Sequence, residues 1–177
     1  MQYNAHNLAV GKIVSKASYG GEAIQSVFFT DKKTVATDRY RLIEVSVPAT
    51  PERSEGEMAG CKPFLVKADN VAKLSTKMHN ITIEHLDDTT VTFNSDGQQV
   101  KMATVNDQFP DYESIFPKQQ PTMKLRVNAK YLREILQVME KMTTDVDILL
   151  YKEDLPIVLT TAEDGQEARA MLMPVKQ

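Results

Sequence analysis

The sequence predicts an α+β fold built from three consecutive βαβββ repeats, and three observations predict it. Asn4-Ala5-His6-Asn7-Leu8, Lys67-Ala68-Asp69-Asn70-Val71 and Asn128-Ala129-Lys130-Tyr131-Leu132 share an alanine, two polar or aromatic residues and an aliphatic residue, with the alanines 63 and 61 positions apart. Self-similarity at a fixed period is the mark of a repeat architecture. Asp96-Gly97 and Asp164-Gly165 each precede an alternating run, and Asp-Gly supplies the positive-φ turn that joins two strands. Leu132, Ile135, Leu136 and Met139 fall at i, i+3, i+4 and i+7, the stripe of an amphipathic helix.

In the first repeat, Val10, Ile13, Val14 and Ala17 predict the helix, and Ile24–Phe29, Thr34–Ala36 and Leu42–Val47 the three strands. Its hairpin uses Asp31-Lys32-Lys33, without glycine. The second repeat opens with a predicted strand, Phe64–Val66. A short helix carrying Val71, Leu74 and Met78 follows, then strands at Ile81–His85, Thr90–Asn94 and Gln99–Thr104. The third has a predicted strand at Lys124–Val127, a helix capped by Asn128, and strands at Val146–Tyr151, Ile157–Thr161 and Ala168–Met171. Such a repeat cannot bury its sheet face and helix stripe alone and must pair with another copy, for which three is an odd number. Pro48 to Cys61 reads as a solvated crossover loop. Asn106 to Thr122 carries Phe109, Tyr112, Ile115 and Phe116, too much apolar surface for a floppy linker, and should pack on the body of the protein.

Composition excludes several function classes. The chain has 177 residues, 42% hydrophobic and 25% charged, enough to bury a core. A net charge of −3 argues against coating nucleic acid by bulk attraction, though not against a local basic surface. No run of about 18 apolar residues offers a membrane span, and the amino terminus lacks the basic and apolar regions of a secretory signal. The single Cys61 has no second cysteine for a disulfide or a shared metal. His6, His79 and His85 are scattered, with no metal-ligand spacing. Asp87-Asp88 reads as solvated turn residues, and Gly20-Gly21 is followed by no Gly-Lys-Ser/Thr phosphate loop. The expectation is a non-enzyme without metal or cofactor, inside the cell.

Three motifs then carry a resemblance. Val35-Ala36-Thr37-Asp38-Arg39-Tyr40-Arg41-Leu42 resembles the Ala-Thr-Asp-Gly-His-Arg-Leu signature in the middle domain of the bacterial DNA polymerase III β subunit, the sliding clamp. Phe109-Pro110-Asp111-Tyr112 with Ile115-Phe116-Pro117 is similar to that family's link between middle and last domains. Met171-Leu172-Met173-Pro174-Val175-Lys176 is similar to its carboxyl terminus. The resemblance implies a DNA-clamp fold of about one and a half clamp domains: residues 1–117 as a complete middle-type domain, 118–177 as the second half of a last-type domain. The Met1 start and family-like ending lead to the expectation of an internally shortened protein rather than a fragment. Arg39 and Tyr40 stand where the family usually has glycine and histidine, and Glu113-Ser114 where it often carries arginines.

The resemblance also implies the working surfaces. Helix faces would meet double-stranded DNA without sequence preference through Lys12, Lys16, Lys67, Lys73, Lys77, Lys130, Arg133 and Lys141, against only Asp69, Glu134 and Glu140. Phosphate contacts of that kind carry no base information, which suits sliding. Residue patterns alone read equally well as ordinary solvated helix faces. A partner-peptide pocket would have Thr37, Arg39, Tyr40, Arg41 and Leu42 as one wall, Pro110, Ser114 and Ile115 as a second, and Met171, Leu172, Met173, Pro174 and Val175 as a third. Methionine adapts to several partners. Without the family, these apolar residues read as core and a last edge strand. The expected function is a homo-oligomeric clamp and processivity factor, bound by DNA polymerase and clamp loader through short peptides, in a bacterial nucleoid or as a phage or plasmid protein. The alternative is an adaptor or decoy that keeps the pocket and never surrounds DNA.

Overall fold

The computed structural model describes residues 2–16, 20–48, 62–74, 81–95 and 97–175, without the side chains of Gln2, His85 and Leu86. Ala17, the crossover loop beyond Pro48 with Cys61, Lys77, Met78, His79, Asp96 and Lys176 lie outside the described residues. The chain divides into two compact units, Met1–Glu113 and Ser114–Gln177.

In the larger unit the order is β1 (Gln2–Tyr3), α1 (Ala5–Ala9), β2 (Ser26–Phe29), β3 (Lys33–Thr37) and β4 (Leu42–Ser46). The second repeat follows as β5 (Phe64–Lys67), α2 (Ala68–Leu74), β6 (Ile81–Leu86), β7 (Thr90–Ser95) and β8 (Gln98–Ala103). Both run βαβββ, and an exchange closes them. β1 pairs antiparallel with β6, Tyr3 opposite Ile81, in a sheet ordered β1-β6-β7-β8. β5 pairs antiparallel with β2, Val66 opposite Val27, in a sheet ordered β4-β3-β2-β5. Each repeat's leading strand therefore finishes the other repeat's sheet.

One core joins the two sheets and both helices: Tyr3, Val27, Phe29, Val66, Val71, Leu74, Ile81, Val91 and Phe93 are all at most 2% exposed within it. Phe29 sits at its centre, edge-on to Tyr3 (5.2 Å), stacked on Phe64 (5.1 Å) and tilted against Phe93 (5.6 Å). β7 alternates buried and half-buried residues along its length, the pattern of a strand with one face in the core.

The predicted first helix is broken. α1 is opened by an Asn4–Asn7 capping box, but it stops at Ala9, a 3-10 turn spans Val10–Ile13, and Val14 is extended. Gly11 explains the break. A β-carbon there would lie 3.2 Å from the Val27 Cγ2 and 3.5 Å from the Ala68 Cβ, so the backbone comes down onto β2 and α2 where a regular helix would hold it away. The predicted strand Ile24–Phe29 starts at Ser26, because Ala23–Gln25 forms a 3-10 turn whose Ala23 amide donates to the Asp107 carboxylate at 2.9 Å.

The smaller unit holds α3 (Ala129–Met139), β9 (Asp147–Leu149), β10 (Ile157–Glu163) and β11 (Gln166–Leu172), in a three-stranded sheet ordered β11-β10-β9. Asn128 caps α3 as predicted, its side chain accepting from the amides of Lys130 (2.9 Å) and Tyr131 (3.3 Å). The β10–β11 turn is Asp164-Gly165, both with positive φ. Met139, Ile157, Leu159 and Leu172 form a small core, with Leu132, Ile135 and Leu136 partly buried against it. Lys124–Val127, predicted as a strand, belongs to no sheet among the described residues. The Arg126 carbonyl accepts from the Val175 amide at 2.7 Å, and Leu125 and Val127 pack on the small core.

Candidate functional site

The first candidate surface is the cationic face. Lys12, Lys16 and Lys67 come together in the larger unit, lining a cavity of about 880 Å³ with α1, the 3-10 turn after it and the start of α2. Lys12 and Lys16 are exposed. Lys67 is half-buried and held, its ammonium 2.8 Å from the Glu22 carboxylate and 3.0 Å from the Gln25 side-chain oxygen. Lys73 is exposed on α2 and donates to the Asn70 side chain at 3.1 Å. Lys130, Arg133 and Lys141 lie in the smaller unit, all exposed, the first 4.0 Å from Glu134. Lys12, Lys16 and Lys73 thus offer their charge outward, while Lys67 spends part of its charge on Glu22.

The second is the set of three walls. Thr37–Leu42 is the β3–β4 turn, built around Asp38. Its carboxylate accepts from the amides of Tyr40 (3.1 Å) and Arg41 (3.0 Å) and from the Arg41 guanidinium (2.9 Å). Burial opposes ionisation of Asp38, but the Arg41 amide, the Arg41 guanidinium and the Tyr40 amide together outweigh it and hold the carboxyl below its usual value. Thr37 is buried, its hydroxyl donating to the Arg41 carbonyl at 2.9 Å and accepting from the Arg39 amide at 3.2 Å. Arg39 has φ +82, the left-handed conformation that glycine adopts at least cost. Its guanidinium lies where a β-carbon on Gly20 would go. Tyr40, at 93% exposure, is presented outward by this turn, and Leu42 is half-buried.

Pro110 is exposed on a segment fastened to the larger unit. Phe109 stacks on Phe28 at 4.7 Å and Tyr112 is buried, as expected of this stretch. The Lys33 ammonium lies 5.1 Å from the centre of the Tyr112 ring and pairs with Glu113 (2.5 Å) and Glu44 (2.8 Å). The Glu113 contact, then Glu44, hold the Lys33 ammonium above its usual range, and Lys33 in turn holds the Glu113 carboxyl low. Ser114 and Ile115 belong to the smaller unit, Ile115 at 73% exposure. Phe116 is also exposed, contrary to the expectation that it packs inward.

The third wall is the end of β11 and the tail after it. Leu172 is in the core, while Met171, Met173 and Val175 are exposed. With Tyr131, Val138 and Ala170 they line an apolar groove of about 790 Å³ between α3 and β11. Sequence reasoning missed Tyr131 and Val138, which lie on α3 outside its core stripe and become a groove only where α3 meets β11.

No family model and no curated protein matches this sequence. Solved structures do match. The Caulobacter crescentus β sliding clamp superposes with a TM-score of 0.73 at 14% identity, over 98% of this chain and 50% of that one. This chain has the sliding-clamp fold. The DNA polymerase III β subunit from Borrelia burgdorferi matches with a TM-score of 0.71 at 14% identity, over 98% and 48%. The Bartonella birtlesii clamp, solved bound to griselimycin, matches with 0.69 at 16%, over 100% and 51%. The chain thus spans about half the length of these clamps. The first motif runs from buried β3 residues into the exposed β3–β4 turn, the second lies on the connecting segment with Phe109 and Tyr112 buried, and the third on the end of β11 and the tail after it.

Proposed function

We propose that the chain is a subunit of a DNA sliding clamp, a non-catalytic processivity factor that oligomerises around duplex DNA and holds partner peptides in an apolar pocket. The observation that carries the reading is the clamp fold over nearly the whole chain. Two surface features support it. Exposed lysines on and beside α1 and α2, in an acidic chain, form a local surface for phosphates that reads no sequence. Exposed methionines at the end of β11 border a groove suited to short apolar peptides. The partners are then double-stranded DNA, a DNA polymerase and a clamp loader, and the setting is the nucleoid of a bacterium or a phage or plasmid replicating there. No helix among the described residues is long and apolar enough to cross a membrane.

The test is topological. Protein loaded on a closed circular duplex is expected to stay bound through gel filtration and to leave when the circle is linearised. Equal loss from both forms would overturn encirclement. The half length favours a second reading, an adaptor that binds clamp-directed peptides and ignores DNA topology. Peptide binding with no retention on circles is the result that selects it.

A further inference from the structure

The larger unit shows how two repeats complete each other, and the smaller unit holds one repeat with both halves of that device unused among the described residues. In the larger unit, β5 is engaged on two edges. On one it pairs with β2, Leu65 opposite Phe28, and on the other the Leu65 carbonyl accepts from the Val105 amide, just past the repeat's last strand, at 2.9 Å. Aligned on the repeated alanines Ala68 and Ala129, Leu65 corresponds to Arg126. Arg126 makes the same own-repeat bond, its carbonyl accepting from the Val175 amide just past β11. Its other edge has no strand beside it among the described residues.

The acceptor edge is likewise without a strand among the described residues. β9 is the end strand of its sheet, at the position that β2 and β6 occupy before β5 and β1 are added. Where the core of the larger unit buries Val27, Phe29 and Ile81 completely, Ile148, Leu149, Leu150 and Tyr151 stand 57, 41, 52 and 52% exposed. These four residues, with Leu155, lie outside the groove between α3 and β11 and leave apolar surface uncovered at this end of the smaller unit, the pattern of half a core. An open strand edge flanked by apolar side chains is a template for pairing with another chain.

The geometry points to a second copy of this chain as the occupant, each copy lending residues 124–127 as a fourth strand along β9 of the other. The exchange would be isologous, the same two segments meeting twice about a two-fold axis. Charge favours this partner. The lending segment carries Lys124 and Arg126, and the receiving edge carries Asp145 and Asp147, all four exposed, so each segment carries one sign and the two signs would oppose each other across the pair. This deepens the oligomerising part of the clamp reading and does not depend on DNA or peptide binding.

The test uses the full chain and two charge-reversed variants, K124E/R126E and D145K/D147K, with mass read by light scattering over a concentration series. The wild type is expected at twice the chain mass or an even multiple of it. Each variant alone places like charges on both exchanged pairs and is expected to be monomeric at concentrations where the wild type is not. Mixed one to one, the variants place opposite charges on both pairs again, and the wild-type mass is expected to return. A monomeric wild type, an oligomer indifferent to both reversals, or an oligomer lost in both variants and not regained on mixing would each overturn the exchange. Circular dichroism on each variant separates lost association from lost folding. A monomeric wild type would remove the self-assembled ring as well and leave peptide binding standing, whereas an oligomer indifferent to both reversals would remove the exchange alone. Success here with no retention on circular DNA leaves the exchange standing and removes encirclement.

Discussion

Replacing Phe29 with alanine tests whether the two repeats of the larger unit share one core. Phe29 is fully buried and touches rings from three other strands, Tyr3 on β1, Phe64 on β5 and Phe93 on β7. Those strands are fixed by ladders in two different sheets, so the cavity left by F29A cannot readily collapse. A buried Phe→Ala change costs about 3–5 kcal/mol. The rigid surroundings and the lost ring contacts place this one near the upper part, about 4 kcal/mol. For a unit of this size that is a fall in melting temperature of about 15 °C. Thermal and urea unfolding followed by circular dichroism would read it, with I43A as control, since Ile43 lies 41% exposed on β4 and should cost under about 1 kcal/mol. A loss below about 1.5 kcal/mol for F29A, or one no larger than the control, would refute a shared core centred on this ring.

Other outcomes are expected. K12Q/K16Q removes two outward-facing cations, and the slope of log affinity for duplex DNA against log salt should fall by up to about 1.8, whereas K67Q should change it less because Lys67 already pairs with Glu22. Equal effects from both would contradict the charge assignment. M173E is expected to weaken binding of a clamp-directed peptide by about tenfold or more while leaving the melting temperature within about 2 °C, measured by fluorescence anisotropy and calorimetry. Acid should destabilise the larger unit. Asp38, Asp107 and Glu113 have carboxyls held below their usual values, so their contribution is present above about pH 4 and is lost as pH falls through the folded values. E113Q should therefore flatten the melting temperature's dependence on pH in the acid range.

Local chemistry made much of the fold legible. The Asp164-Gly165 turn, the Asn128 cap and the Leu132–Met139 stripe depend on neighbours within a few residues, and each appears where expected. The strand exchange was not legible, because the partner of Tyr3 is Ile81 and nothing near either residue encodes that choice. The break after Ala9 was hidden for the same reason, since Gly11 answers to Val27 and Ala68 rather than to its own helix. The site was legible only in pieces. Asp38 orders its turn through adjacent amides, so the motif's shape follows from its residues, while the groove beside Met171 depends on how α3 crosses β11 and gave no sign in either segment.

The exchange of leading strands also sets an order of events during synthesis. β1 leaves the ribosome well before the strand it joins, since β6 is made about eighty residues later. Until then the first repeat's helix has a partial core and Tyr3 has no edge to join. Closing so long a loop costs entropy before any contact repays it, and non-local pairings of this kind slow folding. The amino-terminal half therefore waits for the second repeat, and both are expected to become protease-resistant in one step once β8 has emerged, rather than one after the other.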